Sequence, residues 1–79
     1  MATKAFVLIE TAVGKTREVV DALSSVEGLT SVDAVTGPYD VIVVMEADDL
    51  NTIGEMVTSR VHTVGNVVRT VTCLGVSLP

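Results

Sequence analysis

The chain has no tryptophan, one cysteine, one histidine, two prolines and five basic residues among 79. Each scarcity excludes something. A single cysteine, Cys73, rules out an internal disulfide, and its apolar setting fits a reduced, intracellular compartment. One histidine, His62, and no CxxC pair leave no familiar metal-ligand spacing, so no metal or other cofactor is expected. Neither GxGxxG nor a GxxxxGK loop is present to cradle a phosphate. The cations Lys4, Lys15, Arg17, Arg60 and Arg69 are scattered through a chain of net charge −5. Phosphate backbones need a clustered basic face, so direct binding of DNA or RNA is not expected. No apolar run approaches the roughly 18 residues of a membrane span. The stretch Ala5 to Ile9 is too short for the core of a signal peptide. The expectation is a soluble, cytoplasmic single domain over residues 1–79.

Length is scarce as well. A domain this small buries only roughly 60–65% of the surface its unfolded chain exposes. Small chains offset that with disulfides, metals or partner subunits. The first two being absent here, oligomerisation is the expected support.

What is present is regular. "AFVLIE" (5–10) and "VIVVME" (41–46) are both rich in β-formers, and they superpose residue on residue. Val7 falls on Val43 and Glu10 on Glu46, a weak internal repeat of about half the chain. Each is followed by a helical pattern. From Lys15 to Val26 the apolar positions are Val19, Val20, Leu23 and Val26, with Gly28 as a C-cap. From Asp49 to Thr63 they are Leu50, Ile53, Val57 and Val61, with Asp48 or Asp49 as N-cap. Gly54 is a weak point there unless a neighbour packs close. A second β-run follows each helix. Alternation puts Leu29, Ser31, Asp33 and Val35 on one side of the first, and Thr70, Thr72 and Leu74 on one side of the second.

The order β-α-β-β-α-β predicts an α+β, ferredoxin-like fold. It is a four-stranded antiparallel sheet with two helices on one face. The two continuously apolar strands belong at its centre. Two helices cover one face only, yet Ile42 and Val44 point opposite to Val41, Val43 and Met45. Either a loop covers this second apolar face, or it packs against the sheet of another copy.

Chemically informative residues are few. Gly37-Pro38-Tyr39-Asp40 is a tight turn, and Asp40 either bonds backbone N–H groups there or faces a ligand amine. His62 is either a general acid or base or a histidine placed at a helix C-terminus by the dipole. Thr70 and Thr72 offer adjacent hydroxyls, though β-propensity alone also accounts for them. The acidic run at 47–49 reads as a helix start, and Arg69 as a surface cation or the partner of an acidic neighbour.

The stretch "VEGLTSVDAVTGPYDVIVVMEADDLNTIGEMV" with "VRTVTCLGV" resembles the effector-binding (RAM) domain of the Lrp/AsnC, or feast/famine, transcriptional regulators. The Gly-x-Tyr-Asp turn and the Thr-x-Thr of the last strand carry the resemblance. Two departures stand out. The usual helix-turn-helix domain is missing, as in stand-alone members of the family, and Val64-Gly65-Asn66-Val67 replaces the usual Pro-Gly-Val. The resemblance implies a homodimer with facing sheets, a dimeric α/β barrel, assembling further into rings such as octamers or decamers. It implies an amino acid or related effector bound between dimers at Gly37, Tyr39, Asp40, His62, Thr70 and Thr72. A full-length regulator of the same family is an implied partner. The reading is therefore a non-enzymatic, oligomeric sensing module. Its rivals are a cofactor-free dimeric-barrel monooxygenase or isomerase, and an ACT-like regulatory domain with side-by-side sheets. The near absence of cavity-lining aromatics argues against the enzyme.

Overall fold

The first strand, β1 (Thr3–Thr11), shows why the chain needs two faces. Ala5, Val7 and Ile9 are fully buried, whereas Phe6 and Leu8 between them are half-buried. Strand β3 (Val41–Ala47) repeats the pattern, with Val41, Val43 and Met45 buried and Ile42 and Val44 half-buried. The computed structural model describes residues 2–78. Around these strands it places α1 (Thr16–Ser24), β2 (Leu29–Ala34), α2 (Leu50–Met56) and β4 (Val67–Leu74). The sheet is antiparallel throughout, in the order β2-β3-β1-β4. The expected βαββαβ plan holds, with the apolar strands central and the polar-marked ones at the edges.

The buried face of the sheet meets Val19 and Leu23 of α1, and Ile53 and Met56 of α2. Burying each such side chain contributes about 1.5–3 kcal/mol, and together they form the core. The other face carries Phe6, Leu8, Ile42 and Val44, with Val71 and Cys73 of β4 beside them. Among the described residues, no helix packs on that face.

Local details differ from the sequence expectation. Helix α1 ends at Ser24, and its C-cap is Ser25 rather than the expected Gly28. A turn in which Val26 N–H donates to the Leu23 carbonyl closes it early. Gly28 is needed for another reason. Its φ is +91°, and a Cβ there would stand 2.9 Å from the Met56 Cε. Helix α2 is α-helical only to Met56, and a π-helical turn, Val57–Val61, continues it. The wider turn brings Val57 and Val61 onto the sheet while Leu50 overhangs at 57% exposure. Leu50 thus leaves the expected core stripe and Met56 joins it. Gly54 has no atom within 4 Å of a notional Cβ, so no close neighbour explains it. In β2 a register shift between Leu29 and Ser31 moves Leu29 onto the side of Val32 and Ala34. A strict alternation, with Leu29 and Ser31 together, fails at that bulge.

The internal repeat has a geometric form. Val7 pairs with Val43, flanked by Ala5↔Met45 and Ile9↔Val41. A local twofold axis between Val7 and Val43 therefore exchanges β1 with β3. It also exchanges the edges, because Thr72 lies opposite Val7 as Val32 lies opposite Val43. By the same rule Leu74, opposite Ala5, matches Ala34, opposite Val41. The link into α2 is shorter than that into α1, so Thr16 matches Leu50 and Val20 matches Gly54. The buried pairs Val19/Ile53 and Leu23/Val57 agree with this alignment.

Candidate functional site

The turn after β2 is held from both ends. Val35 N–H donates to the Asp40 carbonyl at 2.9 Å, and Asp40 N–H donates to the Ile9 carbonyl at 2.9 Å. Gly37 has φ +138°, a region that L side chains rarely adopt. The Asp40 carboxylate accepts the Thr11 N–H at 2.9 Å. Thr11 sits where the β1–β4 ladder shifts register, so the carboxylate serves a donor beside a break in the strand pairing. Asp40 thus ties the turn to the end of β1, rather than bonding N–H groups within the turn itself.

Tyr39 faces a different neighbour. Its hydroxyl accepts a hydrogen bond from Arg69 Nη2 at 2.9 Å, and the guanidinium lies 5.7 Å from the ring centroid. Arg69 Nε also stands 3.9 Å from Glu10 Oε1, across the β1–β4 pair. All three side chains reach water, so the ion pair contributes little to stability. On the helix side, His62 Nε2 and Thr70 Oγ1 are 2.9 Å apart. His62, Arg69 and Thr70, with Val67 and Val68, line a recess of about 230 Å³.

The six residues singled out in the sequence therefore separate into groups. Tyr39 with Arg69, and His62 with Thr70, form two pairs at one end of the sheet, on its open and helix sides. Gly37 and Asp40 shape and fasten the turn that presents Tyr39. Thr72 lies one step along β4 and lines another groove with Leu50, Gly54, Val57 and Leu74, about 300 Å³. A wider depression of about 670 Å³ on α2, lined by Asn51, Gly54, Glu55, Thr58 and Ser59, contains none of the six and no cation.

Arg69 was not among the expected site residues; it read as a surface cation or the partner of an acidic neighbour, and it stands beside Glu10. The available signal was its strand parity. It alternates with Thr70 on a strand whose partner carries Glu10, so an opposite-charge pair across β1 and β4 was inferable once the register was known. The open face at this end thus offers a guanidinium for a carboxylate and Glu10 for an ammonium, while the His62 imidazole and Thr70 hydroxyl lie on the helix side of β4. Among the described residues, no group of three or more His, Cys, Asp or Glu is placed to hold a metal ion. No helix there is long and apolar enough to cross a membrane.

This fold and turn define a class, small ligand-binding domains built on a βαββαβ sheet. The chain belongs to the Lrp/AsnC ligand-binding domain family, whose sequence profile matches residues 4–77. Among curated proteins none matches. Among solved structures it is similar to the hypothetical protein PHS023 from Pyrococcus horikoshii, with 32% identity and a TM-score of 0.84, covering 99% of this chain and 93% of that one. It is also similar to TTHA0845 from Thermus thermophilus, with 29% identity and a TM-score of 0.88, covering 100% of this chain and 98% of that one. At 17% identity the fold is shared with the transcriptional regulator NMB0573 from Neisseria meningitidis, solved as an L-Met complex. That match has a TM-score of 0.83 and covers 95% of this chain but 50% of the regulator.

Proposed function

We propose that the protein is an effector-binding regulatory module that takes an amino acid and acts through assembly, without catalysis and without contacting DNA itself. The observation that carries this reading is the Arg69–Tyr39 hydrogen bond, which joins the Gly37–Asp40 turn to the recess beside His62 and Thr70. In this reading the ligand carboxylate meets Arg69 and the Tyr39 hydroxyl, and Glu10 holds the ammonium. Thr70 and His62 border the site from the helix side of β4, and Gly37 and Asp40 keep the turn in place. Thr72 borders the site from the neighbouring groove. The site is open on the isolated chain, which fits a ligand enclosed only when copies assemble.

The half-buried apolar face of Phe6, Leu8, Ile42 and Val44 supports a homodimer with facing sheets, a dimeric α/β barrel. Such dimers would close into rings, of octamer or decamer size, or join a full-length Lrp/AsnC-type regulator in the cytoplasm. The L-Met bound by the Neisseria regulator makes amino acids the first ligands to test.

A thermal-shift screen of the twenty amino acids, run beside light scattering, tests the reading. A ligand at 100 times its Kd adds about 2.7 kcal/mol. At least one amino acid should raise the melting temperature, and Arg69→Gln should abolish the rise. No response to any amino acid would overturn it.

A further inference from the structure

The internal twofold supplies a comparison within one molecule. On the β2 side, the groove between α1 and the edge strand is lined by Thr16, Arg17, Val20, Asp21 and Ala34, about 320 Å³. On the β4 side, the matching groove has Leu50 for Thr16, Gly54 for Val20 and Leu74 for Ala34. One groove is built twice, with the charged pair Arg17 and Asp21 on its wall at one edge of the sheet and the leucines Leu50 and Leu74 on its rim at the other. Leu50 and Leu74 stand on the apolar rim, 57% and 44% exposed. Beyond them Val76 and Leu78 are 79% and 85% exposed. Leu74, Val76 and Leu78 are spaced by two, so in an extended chain they share the side of Thr70 and Thr72.

The backbone gives the pairing register. Gly75 N–H donates to the Lys4 carbonyl at 2.7 Å, so Gly75 faces β1. In an antiparallel ladder the alternate residues face away, so Thr72, Leu74 and Val76 present their N–H and C=O groups to the free edge.

We propose that this edge pairs antiparallel with the same edge of a second copy, about a twofold axis at Gly75. Leu74 then lies opposite Val76 of the second copy, and Thr72 opposite Leu78. Both pairs join outward-facing backbone groups, as a hydrogen-bonded ladder requires. Residues directly opposite share a face, so the second copy's Val76 and Leu78 cover the groove rimmed by Leu50 and Leu74. Gly75 meets Gly75 in the close, non-hydrogen-bonded position, at about 4.5 Å between Cα atoms, where it adds no side chain. The β2 edge, with Arg17 and Asp21 beside its groove, lacks such a stripe. This contact is independent of the sheet-face dimer and of any bound amino acid.

The next close pair in this register is Cys73 with Ser77 of the second copy. The Ser77→Cys variant tests it directly. Within one extended chain positions 73 and 77 are about 13 Å apart, beyond the roughly 7 Å that a disulfide spans. Under mild oxidation Ser77→Cys should run at twice the chain mass without reductant and return to the chain mass with it. The native chain and Cys73→Ser/Ser77→Cys should stay at the chain mass, because like positions lie about 13 Å apart across the axis. Adding Val76→Lys to Ser77→Cys should slow the crosslinking severalfold. No crosslinked dimer from Ser77→Cys, or equal crosslinking in either single-cysteine control, overturns the proposal.

Discussion

Asp40→Ala separates two roles that one carboxylate can have. The Asp40 side chain accepts the Thr11 N–H at 2.9 Å, a contact between residues 29 apart in sequence. Thr11 is 8% exposed, so water poorly replaces the lost acceptor. A hydrogen bond to a charged group is worth about 1.5–3 kcal/mol, and the half-buried carboxylate places the loss at the lower end, about 1.5–2 kcal/mol. For a domain of this size each kcal/mol moves Tm by about 4–8 °C, so the melt should fall by roughly 6–16 °C. Asp40→Asn keeps an accepting oxygen and gives up only the charge, so its loss should be near 1 kcal/mol. Thermal melts at one fixed chain concentration measure both, since assembly makes Tm concentration-dependent. The amino-acid shift, measured relative to each variant's own baseline, should persist. A melt unchanged by Asp40→Ala, with the ligand response gone, would refute the anchoring role and return Asp40 to the ligand.

Three further outcomes follow from the same geometry. Val43→Asp places an unpaired charge in the core and should unfold the chain by circular dichroism, whereas Val44→Asp lies on the open face and should keep the fold but reduce the mass in sedimentation. Gly28→Ala should destabilise by about 1–2 kcal/mol in urea melts, because an L side chain enters the left-handed region and its Cβ displaces the Met56 Cε from 2.9 Å. The hydrogen bond that Thr52 N–H donates to Asp49 at the start of α2 holds its carboxyl below the usual carboxylate range. A depressed folded pKa stabilises above the unfolded value and is lost as pH falls through the folded one, so the Tm difference from Asp49→Ala should be full at neutral pH and close in acid.

Much of the fold was legible because its signals are local. Continuous apolar runs mark central strands, and the repeat of Val7 on Val43 became the pairing axis itself. The details that escaped depend on contacts distant in sequence. Nothing in "LTSV" announces the bulge that turns Leu29 inward, because the register is set by Met45 and Val44 opposite. Nothing in "MVTSRV" announces a π-turn, because it arises where Val57 and Val61 must both reach the sheet. The site behaved likewise. Gly37, Tyr39 and Asp40 were visible as a turn, and His62 and Thr70 as polar residues near a helix end and on the last strand. Arg69 became a site residue only when β4 was laid against β1 and its guanidinium reached Tyr39.

The internal twofold also explains why a weak repeat yields a molecule with two unlike ends. A symmetric ancestor pattern would give both sheet edges the same groove. Here the substitutions that break the symmetry run in one direction. Thr16, Val20 and Ala34 line the β2 groove, with Arg17 and Asp21 beside them. Leu50 and Leu74 give the β4 groove an aliphatic rim, and Gly54 on α2 leaves it open, with nothing within 4 Å of a Cβ there. Such a glycine costs about 1 kcal/mol in a helix interior, and no packing neighbour within the chain offsets it. An occupant from outside would. Restoring the symmetry with Gly54→Ala should therefore raise the stability of the isolated fold while weakening the edge contact, a divergence that thermal melts and Ser77→Cys crosslinking read separately. A gain in both would show that the glycine leaves no room that a second copy uses.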